Sequence, residues 1–222
     1  QHLAVEPAMK GWIEARVDYV KPVEIGDVMR GTGSGVVLES KNAAFPVGTV
    51  VSGSFGWQRY CVTDGNAEAM RKVPEGIEQT AALNVLGITG LTAYFGMGEI
   101  GKPKAGETVR VSGAAGATGS IAGQLARIAG CRVVGIAGGQ KKCDWLVNEL
   151  GFDAAVDYKG GNTAKDIKAA CPDGVHVYYD NVGGEILDMA LARLAMNARV
   201  VLGGGISRYN ETGHIPGPSN YF

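Results

Sequence analysis

Cysteine is scarce and scattered in this chain. The four thiols, Cys61, Cys131, Cys143 and Cys171, are separated by 70, 12 and 28 positions, with no CxxC pair. That spacing argues against a zinc knuckle or a disulfide framework and reads as reduced thiols. Histidine is scarcer still, and His2, His176 and His214 are too far apart to suggest a metal cluster, so no metal is expected. No apolar run approaches the roughly 18 residues of a membrane span. Gln1 to Lys10 lacks the basic start and apolar centre of a signal peptide, which leaves a cytoplasmic location as the expectation. Excess charge of either sign is missing too: 21 Lys plus Arg face 22 Asp plus Glu, a net charge of −1. Nucleic acid and anionic membranes therefore have no electrostatic support as partners.

What is present is glycine, 35 of 222 residues, with no collagen period, as expected of many tight turns. Up to about residue 80 the chain is rich in loops and short Val-rich runs, "GTGSGVVLES" and "VGTVVSGSFGWQRYCVT", which suit twisted strands of a small barrel or sandwich. From about Glu78 the pattern changes. "EQTAALNVLGITGLTAYFGM" reads as helix interrupted near Gly87 to Gly90. Thereafter strands ("ETVRVSG", "CRVVGIAG", "DAAVDY", "GVHVYYDN", "ARVVLGG") alternate with helical stripes, among them Ile121, Leu125 and Ile128, then Leu187, Leu191 and Leu194. Five strands alternating with helices specify right-handed crossovers and a doubly wound α/β fold, a parallel sheet covered on both faces.

The stretch "RVSGAAGATGSIAG" lies between the strand Thr108 to Ser112 and the helix from about Thr118. As a dinucleotide fingerprint it puts Ala114 in the first glycine place, Gly116 in the second and Gly119 in the third. Gly116 would admit the pyrophosphate, and the free N–H groups at the helix start would hold it. After the next strand stands "AGGQKKC", where an NAD site would carry an acid on the ribose hydroxyls. Lys141 and Lys142 could instead pair with a 2′-phosphate, so NADP(H) is the expected cofactor; a solvated pair at a helix start is the competing reading. "YYDNVGG" and "VVLGGGISRY" bring Asn181, Val182 and Gly203 to Gly205 to carboxyl ends of parallel strands, where such sheets bind ligands and where ordinary turns also occur.

Together "GLTAYFGMGEIGKPKAGETVRVSGAAGATGSIAGQLARIAGCRVVGIAGG", "ELGFDAAVDYK", "DNVGGEILD", "GGGISRYN" and, upstream, "KPVEIGDVMRGTGSGVV" resemble the zinc-independent medium-chain dehydrogenase/reductases. More narrowly, they resemble the prostaglandin reductase, alkenal double-bond reductase and curcumin reductase group. The resemblance implies a GroES-like substrate domain over residues 1–80 and a Rossmann NADP-binding domain over 81–222, both incomplete. It implies NADPH-dependent reduction of the carbon–carbon double bond of α,β-unsaturated aldehydes and ketones, and a homodimer. In matching positions, Gly116, Ala117, Thr118 and Gly119 hold the pyrophosphate, and Lys142 contacts the 2′-phosphate beside Tyr158. Asn181, Gly203, Gly204, Gly205, Ile206, Ser207 and Tyr209 line the rest of the cofactor, and Tyr209 is the acid near the enone. A ring packed on the nicotinamide without proton transfer is the other role open to Tyr209.

The chain departs from the group in several ways. Ala8 replaces a common tyrosine, Ile88 and Thr89 stand in "GITGLTAY", and His176, read as a strand residue, replaces a common acid. The family also extends beyond both "QHLAVEP" and "GPSNYF", so the working protein is expected to be longer. Two other functions stay open at this stage: a zinc-free quinone oxidoreductase, and a non-catalytic NADPH-binding sensor or structural protein.

Overall fold

A computed structural model of the protein describes residues 1–14, 21–66, 70–211, 213 and 216–219. His214 lies outside them. The described chain divides into two compact units, Gln1–Ile88 and Thr89–Phe222.

The first unit holds the strands β1 (His2–Leu3), β2 (Gly33–Val36), β3 (Val50–Gly53) and β4 (Met70–Lys72), paired in that order into one antiparallel sheet. Two short helices, α1 (Met9–Ile13) and α2 (Gln79–Leu83), accompany it. Val51, Ser34 and Ser52 are buried, and the Ser34 hydroxyl donates to Gln79 Oε1 at 3.1 Å, tying α2 to the sheet. The run Trp57 to Thr63, expected to prolong a strand, forms none, and Trp57, Tyr60 and Val62 are exposed.

The second unit begins within α3 (Ile88–Phe95), which widens into a π-helical segment at Gly96–Gly101. The helical break expected at Gly87 to Gly90 falls earlier, between Leu83 and Ile88, because Gly90 is buried inside α3. The alternation follows: β5 (Thr108–Val111), α4 (Ala117–Ile128), β6 (Arg132–Ala137), α5 (Gln140–Asn148), β7 (Ala154–Asp157), α6 (Thr163–Ala170), β8 (Val175–Asp180), α7 (Gly184–Leu191) and β9 (Leu194–Leu202). The five strands are parallel in the order β7-β6-β5-β8-β9, a doubly wound Rossmann-type sheet. Because side chains alternate along a strand, the sheet feeds two cores. Val109, Val111, Val133, Val177 and Tyr179 pack with Ala122 and Ala126 of α4 and Leu146 of α5. Val134, Ile136, Val156 and Tyr178 pack with Ile167 of α6 and Ala190 of α7.

Of the two helical stripes, the first does mark α4 but not its buried face, and the second runs too far. Ile121 and Leu125 are only partly buried against the core and Ile128 is 84% exposed; α4 buries Gly119, Ala122, Gly123 and Ala126 instead. Small residues face the sheet because the helix lies so close: a Cβ on Gly123 would collide with the Phe152 ring. Leu194 does not extend the α7 stripe. It opens β9, pairing with Val175 across a register irregularity.

Candidate functional site at the strand ends

The turn after β5 is built on Gly113, whose φ of 56° is the left-handed conformation that glycine adopts without strain. Ala114 is fully buried behind it, donating its N–H to Ile136 O at 3.0 Å. Gly116 then sits at the N-cap of α4 and is exposed, as is Ala117, while Thr118 is half-buried. Gly119 is buried, and a Cβ there would collide with the Gly113 carbonyl oxygen, so the helix reaches this turn only with glycine. No side chain caps α4 and no acid lies in its first turn. The first N–H groups of a helix have no intrahelical acceptor, so an exposed, uncapped start of this kind suits a pyrophosphate. The cradle fits a dinucleotide in shape and in charge.

Beside it, β6 ends at Ala137 and α5 carries Lys141 and Lys142, both exposed, in an uncapped first turn without acids. Tyr158, after β7, lays its ring on Gly138, where a Cβ would meet ring carbon Cε1 at 2.8 Å. Lys142 and Tyr158 thus belong to adjoining strand ends. Asp157 also stands here: its carboxylate accepts the N–H groups of Gly139 at 2.7 Å and Lys159 at 2.9 Å. Those two bonds, Gly139 first, hold its pKa below the ordinary carboxylate range. Sequence reasoning passed over this acid, which lies one strand later than the place searched. The signal was available as "VDYK", an acid at a strand terminus beside the tyrosine already singled out.

On the other side of β5 a buried carboxylate organises the ends of β5, β8 and β9. Asp180, 1% exposed, accepts the hydroxyls of Ser112 at 2.7 Å and Tyr178 at 2.8 Å, and the N–H groups of Val182 at 3.2 Å and Gly183 at 3.0 Å. Burial, and then the facing Asp180, push the Tyr178 phenol well above its ordinary pKa, so it stays a donor. The Asp180 carbonyl accepts from Gly203 and Gly204 at 2.7 and 3.1 Å, which fixes the end of β9. Asn181 donates its amide to Ser112 O at 2.8 Å. The Ser207 hydroxyl donates to Val182 O at 2.6 Å, while Ile206 N–H reaches Asn181 O at 3.3 Å. Asn181, Gly203, Gly204, Gly205, Ile206 and Ser207 are therefore brought together. Tyr209 follows the 3₁₀ turn Ile206–Arg208 and is 38% exposed, and its hydroxyl lies 3.4 Å from a Cβ built on Gly204. Neither Asp180 nor Ser112 was singled out from sequence, because a buried aspartate at a strand end looks like any turn acid until its partners are known.

His176 is a strand residue of β8 whose Nδ1 accepts the Thr108 N–H at 3.1 Å. It lies at the amino-terminal side of the sheet, away from these turns. Cys61 is exposed, while Cys131, Cys143 and Cys171 are free and buried; burial raises the pKa of those three thiols. No helix among the described residues is long and apolar enough to cross a membrane.

Two family models match the chain: the N-terminal domain of oxidoreductase over residues 1–73, and zinc-binding dehydrogenase over 117–218. The second description names a metal, yet the described residues contain no group of three or more His, Cys, Asp or Glu side chains that could hold one. The NADPH-dependent curcumin reductase of Escherichia coli (strain K12) is 39% identical over 98% of this chain and 63% of its own length. Prostaglandin reductase 1 of Bos taurus is 42% identical over 98% of this chain and 65% of its own. The crystal structure of CurA from Vibrio vulnificus in complex with NADPH superposes with a TM-score of 0.92 at 38% identity, covering 99% of this chain and 65% of that one. The chain thus spans a little under two thirds of the length of the relatives it matches. With its doubly wound sheet, its glycine turn and these likenesses, the chain belongs to the medium-chain dehydrogenase/reductase family, in the group of the curcumin and prostaglandin reductases.

Proposed function

We propose that the protein containing this chain reduces the carbon–carbon double bond of α,β-unsaturated aldehydes or ketones with NADPH. The observation that carries the reading is the uncapped, acid-free start of α4 behind Gly116 and Gly119, with Lys141 and Lys142 at the next strand end. The relatives named for curcumin and prostaglandin reduction support the substrate class. NADPH, when bound, supplies a hydride to the β-carbon of the substrate. The residues of the chain do the rest. The N–H groups of Ala117, Thr118 and Gly119 hold the pyrophosphate, and Lys142 and Tyr158 hold the 2′-phosphate. Asn181 and the segment Gly203 to Ser207 line the nicotinamide half. Tyr209 keeps a proton on its phenolic oxygen and passes it to the α-carbon as charge leaves the carbonyl oxygen. A phenolic hydroxyl can donate both a hydrogen bond and a proton, which suits that task.

The same reading makes the protein a cytoplasmic homodimer acting on a small molecule, without nucleic acid or membrane. The buried free thiols and the near-zero net charge support it. The test is to follow NADPH absorbance with the full-length protein and a panel of enones, alkenals and quinones. Turnover with enones and alkenals is expected. Turnover with quinones alone, or binding without turnover, overturns the proposal. Light scattering checks the dimer.

A further inference from the structure

Asp157 closes β7 with a carboxylate that serves two turns at once. One oxygen accepts the N–H of Gly139, in the turn between β6 and α5, and the N–H of Lys159, in the turn after β7. Gly139 has a φ of 95°, left-handed backbone that favours glycine, so this bond rests on a conformation few other residues would adopt. The two turns are in contact elsewhere as well. Tyr158 donates its N–H to Ala137 O at 3.1 Å, and its ring lies on Gly138. Beyond it the Thr163 hydroxyl donates to Tyr158 O at 3.1 Å, and the Lys159 ammonium stands 6.0 Å from the Tyr158 ring centroid. One turn leads into Lys141 and Lys142; the other carries Tyr158 and Lys159. All four are exposed at the carboxyl ends of neighbouring strands.

We propose that Asp157 is a positioning residue for the 2′-phosphate: an acid that favours an anionic group indirectly, by locking together the two turns that present Lys142 and Tyr158. The inference rests on the NADPH reading above. A free carboxylate beside a phosphate opposes it, whereas this one spends an oxygen on two backbone N–H groups and fixes the geometry of the groups that bind. The useful property is the accepting oxygen at that point. The charge is incidental.

Three substitutions separate those properties. Asp157→Asn keeps the oxygen and removes the charge, Asp157→Ala removes both, and Asp157→Glu keeps the charge but displaces the oxygen by a methylene. The readout is equilibrium binding of NADPH and of NADH to the full-length protein, followed by intrinsic fluorescence, with circular dichroism as a check on folding. The wild type is expected to bind NADPH more tightly than NADH. Asp157→Ala should cut that preference about tenfold by weakening NADPH while NADH stays within about twofold, the size of effect that losing a charge-assisted contact gives. Asp157→Asn should hold the preference at or above wild type, and Asp157→Glu should lose it. An unchanged preference in the alanine variant overturns the proposal, as does an equal loss for both dinucleotides or an asparagine variant as poor as alanine. Should alanine fail to fold, the contrast between asparagine and glutamate decides by itself. A wild type without any preference for NADPH overturns the cofactor reading before a variant is made.

Discussion

Tyr209 is the residue on which the proposed chemistry depends most, and its environment is permissive rather than elaborate. It follows a short 3₁₀ turn, part-exposed, with its hydroxyl near Gly204. Tyr209→Phe keeps the ring and removes the proton. The expected result is a fall in turnover number of about 100-fold, within the span of general acid catalysis, with the NADPH dissociation constant unchanged within about twofold. Unchanged turnover would leave the ring only a packing role. Arg110 makes the opposite point. It is fully buried in β5, with its guanidinium 5.1 Å from the Tyr178 ring centroid and hydrogen-bonded to no oxygen. Burial lowers its pKa, opposed first by the buried Cys171 thiol and then by Tyr178. Replacing an inadequately paired buried cation by an apolar residue of similar volume is often stabilising. Arg110→Met is therefore expected to raise the denaturant midpoint, by about 1–3 kcal/mol of stability. A lower midpoint would show that the guanidinium contributes net stability through the ring contact. The glycines and lysines at the strand ends could be picked out in the sequence, although ordinary turns and solvated helix starts use the same residue types. Partners could not: nothing in "TVRVSG" says that Arg110 faces inward, or that Ser112 meets an aspartate 68 positions away.

Among the elements, strands were easier to read than helix faces. Val-rich runs gave the five parallel strands because a strand buried on both sides tolerates little else. The stripe Ile121, Leu125 and Ile128 marks α4 in the sequence but does not mark its buried face. Close approach selects small residues there: Gly119, Ala122, Gly123 and Ala126 go inward, and Ile128 stays in solvent. Gly123→Val is the corresponding test. Its side chain would have to displace the Phe152 ring, an overpacking expected to cost about 1–3 kcal/mol. Ile128→Ser, by contrast, should move the melting temperature by less than about 2 °C, as an exposed substitution does. Leu194 was misassigned for a related reason. A leucine three residues after Leu191 keeps helical spacing, but the chain has already turned to start β9 at the register of Val175.

At the scale of the whole molecule, the two compact units divide between Ile88 and Thr89, whereas the sequence pattern changes near residue 80, and Trp57 to Thr63 form no strand. The amino-terminal side of the parallel sheet carries an ion pair backed by several carbonyls. Arg199 donates to Glu107 at 2.6 and 3.0 Å, and to the carbonyls of Gly101, Lys102 and His176 at 2.8, 2.8 and 3.2 Å. The guanidinium, first among the causes, holds the Glu107 carboxyl at about 2, well below its ordinary 4.5. The folded pKa is the depressed one, so this stabilisation is complete above about pH 4.5 and is lost as the pH falls through about 2. Glu107→Gln is expected to lower stability at neutral pH by about 1–3 kcal/mol and to flatten its decline below pH 4.5. Thermal melts across that range check both.

The strand order has a consequence for how the molecule is finished. β5 lies between β6, which follows it closely, and β8, which arrives only after two further helices and β7. Distant pairings close late, since the intervening loop must be ordered first. The bonds from Ser112 to Asp180 and from Asn181 to Ser112 cross that last seam, and they shape half of the proposed dinucleotide cleft. A chain that has not closed β8 onto β5 has half a seat for its ligand. Retention on an immobilised nucleotide should then sort completed molecules from unfinished ones.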